Sequence, residues 1–450
     1  MGVDYEERVD FARLREYRLG RAKDALAASE CAAFLLFDFY NIRYTTQTWI
    51  GGALGDKMTR YALLTRSGEG SEAPYLWDFG SAVRHHQAYS NWLPDEHCLP
   101  GMLGMRGAVA PSAGLMESAV RQIVGMLADA GLTGQPVGVD IVEPAFMLEM
   151  QRQGITVVDC QQSMLDARVV KNADEIMLLT QAAAMVDGVY VDIVEKARPG
   201  VRENEIVALA NKRLYEMGSD QVEAVNAISG ERCNPHPHNF TDRIIRPGDQ
   251  AFFDIIHSFN GYRTCYYRTF AVGSSTPAQR DAYTKAREWM DVAIQAVRPG
   301  VGTDEIAALW PKATDFGFAD ELAAFGLQFG HGLGLGLHER PIISRLNSMR
   351  EPVEPGRGHG LRAGDLLPRR GRLLGRPHRG GGRGDRGRSA GPHPLPRAGP
   401  RRHQPLLRAA EPCRRASTSA PSKPTCSWAA SGSPPLRATA STCSTPPPAT

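Results

Sequence analysis

The stretch ARPGVRENEIVALANK, residues 197–212, returns one hundred residues later as VRPGVGTDEIAALWPK, residues 297–312. Each copy reads as the end of a helix, a stop at Arg-Pro-Gly, a short turn with Glu or Asp as N-cap, and a further helix with I-x-A-L on one face. One repeat is too few for a solenoid. It predicts two related halves folded around a shared centre.

Working outward, the helix that ends at the first copy spans Ala173–Lys196, with Asn172 as N-cap and Pro199–Gly200 as the stop, and the next spans Glu203–Met217. Between the copies, residues 228–273 predict a loop carrying His236 and His238, a tight turn at Pro247–Gly248, and a hairpin of AFFDIIHSF and YRTCYYRTFAVG. After the second copy comes FGHGLGLGLHERP, residues 329–341, with His331 and His338 among glycines at 330, 332, 334 and 336. Glycines so placed predict a backbone that passes close to other atoms.

Ahead of residue 169 the texture differs. An amphipathic helix over residues 10–30 precedes CAAFLLFDFYNIRYTTQTW (31–49), which reads as a buried strand, a turn and a polar-aromatic stretch. Strand-like runs at Arg60–Thr65, Ala73–Phe79, Val137–Val142 and Ile155–Asp159 alternate with helical segments such as Ser118–Ala130. That alternation predicts an α/β domain closing near Asp166.

The 450 residues are 42% hydrophobic, ordinary for a globular chain. The N-terminus carries acids where a signal peptide needs basic and then apolar residues, and no run of about 18 apolar residues occurs, so a cytoplasmic protein away from membranes is expected. Eight cysteines show no paired spacing, which argues against a disulfide framework or a zinc ribbon. Residues 355–450 hold 17 Arg and one Lys against Asp365, Asp385 and Glu411, a net of +15; with +3 overall, the preceding residues carry −12. The segment has no Ile, Val, Met, Phe, Tyr or Asn and a single aromatic, Trp428, so its composition predicts disorder.

Together these motifs resemble the pita-bread metallopeptidase family, in its creatinase, aminopeptidase P and prolidase branch. The family pattern is an Asp on one strand, a second Asp three residues before Arg-Thr-Phe, a Gly-His-Gly, a His-Glu shortly after, and two Glu on the last strands. The resemblance implies an α+β fold: a creatinase-type N-terminal α/β domain (1–168), then a pita-bread catalytic domain (169–353) followed by a tail (354–450). It implies metal-dependent hydrolysis of an Xaa-Pro peptide or a related small amide, with one or two divalent ions (Mn, Co, Zn or Fe), in a homodimer. Position by position, Asp254 and His331 match metal ligands, while His338 and His236 match the catalytic histidines, with His238 beside them as a substrate-binding residue. Carboxylates and an imidazole suit divalent ions that share a water and make hydroxide near neutral pH.

Two departures qualify the match. Cys265 stands where the bridging Asp belongs, and a thiolate offers one soft atom in place of two oxygens. This favours, as an alternative, a metal-independent creatinase-like hydrolase or a lyase acting on a small zwitterion of the dimethylsulfoniopropionate type. The second departure is that no glutamate-bearing strands follow Val353. Permissible codons for Arg376–Gly387, shifted by one base, read ARIEEEVVVTE, and the same shift lets Gly360–Arg369 read VFALETYCPA. A frameshift near residues 354–358 accounts for both, leaving the chain as written with part of its ligand set and no metal as one expectation. A nucleic-acid-binding protein is the reading from another function class, and it rests on the basic tail alone. Nucleic acid is disfavoured because the tail lacks the aromatics on which bases stack.

The nucleotide sequence across codons 354–358 checks the frameshift. Side by side, the 450-residue chain is expected to be inactive and aggregation-prone and the base-corrected chain soluble. Tight divalent-metal binding together with Xaa-Pro hydrolysis by the 450-residue chain would overturn this.

Overall fold

Apolar residues at 33–36 and 61–65 form the middle of a six-stranded sheet. The structure is a computed structural model that describes residues 9–49, 58–90, 92–104, 109–234, 237–325 and 328–345, within one unit, Met1–Gly380. The tail, and the frameshift reading attached to it, lie outside the described residues. In chain order the first part comprises α1 (Phe11–Ala28), β1 (Ala33–Leu36), α2 (Phe39–Thr46), β2 (Tyr61–Thr65), α3 (Glu69–Glu72), β3 (Tyr75–Asp78), α4 (Gly80–Tyr89) and β4 (Cys98–Pro100). It continues with α5 (Leu115–Asp129), β5 (Val137–Val139), α6 (Pro144–Arg152), β6 (Val157–Asp159) and α7 (Gln161–Val169). The sheet order is β4-β3-β2-β1-β5-β6, with β1 antiparallel to β2 and parallel to β5.

Strand periodicity assigns the two faces of β1. Phe34 and Leu36 pack with Leu14, Leu19 and Leu26 of α1, whereas Leu35 packs with Val120 and Ile123 of α5 and Phe146 of α6. Helices therefore cover both faces. The polar-aromatic stretch after β1 is the helix α2: Asp38 caps it by accepting from Tyr40 N at 2.8 Å, and Thr46 Oγ1 donates back to Ile42 O at 2.7 Å.

The second part begins with α8 (Ala173–Lys196), whose cap is the expected Asn172, and α9 (Glu203–Glu216). Then come β7 (Gln221–Ser229), β8 (Gln250–Phe259), β9 (Tyr262–Arg263), β10 (Tyr266–Ala271), α10 (Pro277–Ala296), α11 (Thr303–Ala308), α12 (Glu321–Phe325), β11 (Gly330–Gly332) and β12 (Glu339–Ile343). By length and composition α8 could cross a bilayer. Its Val186, Val189, Tyr190 and Ile193 are instead buried against α9 and the sheet of β7 and β8, as in a core helix, and the Tyr190 hydroxyl lies 2.8 Å from Phe253 O and 2.5 Å from Tyr266 O.

The sequence repeat is a structural repeat, α8-turn-α9 and α10-turn-α11, with Gly200 at φ +96° and Gly300 at φ +90° in the turns. Two details differ from the sequence reading. The cap positions are Arg202 and Gly302, and the acid three residues on accepts the cap's backbone N–H, Glu205 at 3.1 Å and Glu305 at 3.3 Å. The buried faces are Ile206, Val207 and Ala210 in one copy and Ile306 and Ala307 in the other, while Ala208 and Ala308 are exposed. At 100° per residue, positions i, i+1 and i+4 share a side and i+2 faces away.

The hairpin turns at Asn260 (φ 48°) and Gly261 (φ 86°), as a primed two-residue turn requires. Its second strand is split into β9 and β10, both paired with β8, and Thr264–Cys265 lies in the break. The sheet order is β10-β8-β7, and among the described residues no strand pairs with the outer edge of β10. A cavity of about 980 Å³ opens between that edge and α10. The described cysteines, Cys31, Cys98, Cys160, Cys233 and Cys265, are all buried, consistent with use as small core residues.

Packing around β5 is tight enough to test. A Cβ at Gly138 would meet Cys160 Cβ at 2.7 Å and Phe34 Cδ1 at 2.8 Å. Gly138→Ala should therefore lower stability by about 1–3 kcal/mol, read from urea unfolding.

Candidate functional site

Asp254 sits in the middle of β8, the central strand, opposite Asn226 on β7 and Tyr267 on β10, and is 1% exposed. A carboxylate so buried needs donors. Asn226 Nδ2 donates to Oδ2 at 3.0 Å, and the Cys265 thiol donates weakly to Oδ1 at 3.9 Å. The break between β9 and β10 turns Cys265 toward Asp254 rather than leaving it as an ordinary strand residue.

His331 lies on β11 and is 6% exposed. Its Nδ1 is 2.9 Å from Gly332 O, an acceptor that places a proton on Nδ1. His338, at the far end of the glycine loop, is exposed, and its ring centroid is 4.5 Å from that of His331. One buried and one exposed imidazole thus stand side by side.

The loop between them wraps around Glu339. Lys171 Nζ donates to Oε2 at 2.7 Å, Gly336 N donates to Oε1 at 2.9 Å, and Arg168 Nε stands 3.1 Å from Oε1 as an ion pair. A Cβ at 332 would collide with the Arg340 carbonyl, and one at 334 with the Glu339 carboxylate. Here is the close approach that the alternating glycines predict. Burial alone pushes the Glu339 carboxyl up, but the Lys171 and Arg168 charges and the hydrogen bonds outweigh it and hold the group below its ordinary value. From β9, Arg263 N donates to Gly334 O at 2.9 Å and its guanidinium donates to Leu335 O.

The predicted residues thus fall into two pairs, Asp254 with Cys265 and His331 with His338. His236 lies outside the described residues, and His238 is exposed in the loop that follows. Among the described residues, no three His, Cys, Asp or Glu side chains gather closely enough to hold a metal ion. Asp254 is already engaged by an amide and a thiol. The described donors by themselves do not fit a binuclear metal site. Asn226, Arg168 and Lys171 escaped the sequence reading, since a neutral amide and two cations carry no motif. Their one available signal was a pair of basic residues directly ahead of a buried helix.

Residues 177–366 match the family model described as Metallopeptidase family M24. Over that stretch the chain is similar to the M24 metallopeptidases. It is 29% identical over 251 residues to the probable dipeptidase PepE of Mycobacterium tuberculosis (strain ATCC 25618 / H37Rv), covering 54% of this chain and 65% of that one. It is 28% identical over 199 residues to the Xaa-Pro dipeptidase of Pyrococcus furiosus, covering 42% and 56%. The chain therefore spans less than two thirds of the length of these curated relatives. The solved Xaa-Pro dipeptidase from Bacillus anthracis superposes with a TM-score of 0.60 at 19% identity, over 76% of this chain and 88% of that one. The prolidase from Pyrococcus horikoshii OT3 superposes at 0.58, with 18% identity over 74% and 87%. The pita-bread α+β architecture is shared.

Removing either side of the Glu339 cluster leaves a charge buried without its partner. Glu339→Ala and Lys171→Met are each expected to cost about 3–5 kcal/mol in chemical unfolding. Because the folded carboxyl is held below its ordinary 4.5, its stabilisation is complete above that pH and is lost as the pH falls below it. Unfolding free energies between pH 7 and pH 3 should show this slope in the parent chain and a shallower one in Glu339→Gln.

Proposed function

We propose that the intact gene product is a metal-dependent hydrolase of Xaa-Pro peptides or a related small amide, and that the chain as written is inactive. The observation that carries this reading is the pairing of buried His331 with exposed His338 on a loop held rigid around Glu339, inside the residues that match the M24 model. A buried imidazole whose Nδ1 is held by a backbone carbonyl suits a ligand role through Nε2. An exposed imidazole beside it suits hydrogen bonding to a substrate carbonyl, a role that the sequence resemblance also gives His236 or His238. Bound divalent ions, Mn, Co, Zn or Fe, would supply an activated water. In this chain the described donors stop short of such a site, so no step is routed through one.

That no strand among the described residues pairs with the outer edge of β10, and that a cavity adjoins it, supports the view that strands belong there which the shifted frame would encode. On this reading residues 1–168 form the N-terminal domain and 169–353 an incomplete catalytic domain, and the intact protein works as a cytoplasmic homodimer. Cys265 favours a second reading, a creatinase-like hydrolase or lyase that acts on a small zwitterion without metal. Its thiol stands 3.9 Å from Asp254 Oδ1 as a weak donor, a contact that supports this second reading.

Metal analysis and peptide assays on the base-corrected chain separate the readings. One or two ions per chain, hydrolysis of Xaa-Pro dipeptides that a chelator abolishes, and a loss of about 100-fold or more in kcat for His331→Ala are expected. Full activity on a small zwitterion at near-zero metal content would replace the first reading with the second.

A further inference from the structure

The motif YNIRYTT in α2 is sequence-distant from every candidate catalytic residue, yet its first two side chains reach the histidine loop. Asn41 Nδ2 donates to Asp140 Oδ2 at 2.8 Å, its Oδ1 accepts from Arg168, and Arg168 in turn pairs with Glu339, the residue after His338. All of these groups are buried except Asp140, which is partly exposed. Independently, the Tyr40 ring lies 4.3 Å under the guanidinium of Arg263, whose donors hold Gly334 O and Leu335 O on the same loop. Leu333 and Leu335 belong to the hydrophobic cluster that also contains Phe34, Leu36 and Ile42, so the loop rests on the core of the first sheet.

We infer that Tyr40 and Asn41 are positioning residues for the histidine loop: α2 sets the placement of His331 against His338 through Arg263 and through Arg168–Glu339. The physical argument is one of supply. A loop of glycines and leucines has few side-chain groups with which to hold its own conformation, and here the Leu335 carbonyl and the terminal Glu339 carboxylate are held by cations, while the Gly334 carbonyl accepts from the Arg263 backbone N–H. Those cations are long side chains that need fixing in turn. Asn41 and Tyr40 supply the fixing, one by accepting a hydrogen bond and the other by covering the guanidinium plane. This links the first sheet to the site through two cations.

The inference rests on the proposed function only in treating the loop as functional. Hydrogen exchange read by mass spectrometry tests it in the 450-residue chain, expressed behind a solubilising carrier. Asn41→Ala should speed exchange in peptides covering residues 332–339 about tenfold, with peptides of β1 and β2 protected as in the parent. Tyr40→Leu, which keeps an apolar body on α2, should act on the same peptides and guards against a variant that fails to fold. Adding Asn41→Ala to Glu339→Gln should produce no further increase, because both act through Arg168. Unchanged loop exchange, equal loss of protection in β1 and β2, or additive effects would each overturn the inference. In the base-corrected chain, kcat should fall in Asn41→Ala with KM unchanged. An absence of peptidase activity would remove the proposed function and leave the exchange result standing.

Discussion

Glu339 is a carboxylate almost without solvent, and the rest of the site follows from how it is held. Ionised and buried, it would be intolerable alone, so Lys171 and Arg168 close on it from the segment between the two sheets. The Glu339 carboxylate itself leaves no room for a side chain at 334, and the Glu339–Arg340 backbone leaves none at 332, so glycine occupies both. The path those glycines allow brings the end of the loop back to its start, and His338 comes to rest beside His331.

Polar pairs also join the two parts of the chain elsewhere. The Arg18 guanidinium on α1 bonds the Tyr262 hydroxyl of β9, which donates to Glu175 on α8 at 2.8 Å. Arg13 pairs with Asp174 at 2.7 Å, and Arg43 with Asp220 at 3.0 Å. Buried charge clusters add little net stability over well-packed apolar residues, but they punish wrong geometry heavily. Their effect here is to fix how the first sheet sits against the hairpin and the histidine loop. An apolar seam alone would leave that placement looser.

Much of the fold was legible from local patterns. Asn172 announces α8, the Arg-Pro-Gly repeats announce paired helices, and alternation announces β8, because caps, stops and periodicity act within one turn or one pleat. The misreadings came where neighbours in space decide. The stretch after β1 is the exception, since it is aromatic and β-branched in composition and yet a local cap, Asp38, makes it a helix. The second strand of the hairpin reads as continuous but divides at Cys265, beside Asp254. In the repeats, the buried residue is the one after Ile rather than the Ala two on, since burial depends on what the helix packs against.

By itself the sequence determined the order and kind of most elements, the chemical types available to the site, and the shift in composition after residue 354. These depend on the residue and its near neighbours. Tertiary structure alone decided which of those groups meet: Asp254 with Cys265 and Asn226, His331 with His338, and Glu339 with two cations 168 and 171 residues earlier in the chain. No local rule can specify such pairs. They come from closing the chain on itself, where each buried charge must find a partner that sequence distance conceals.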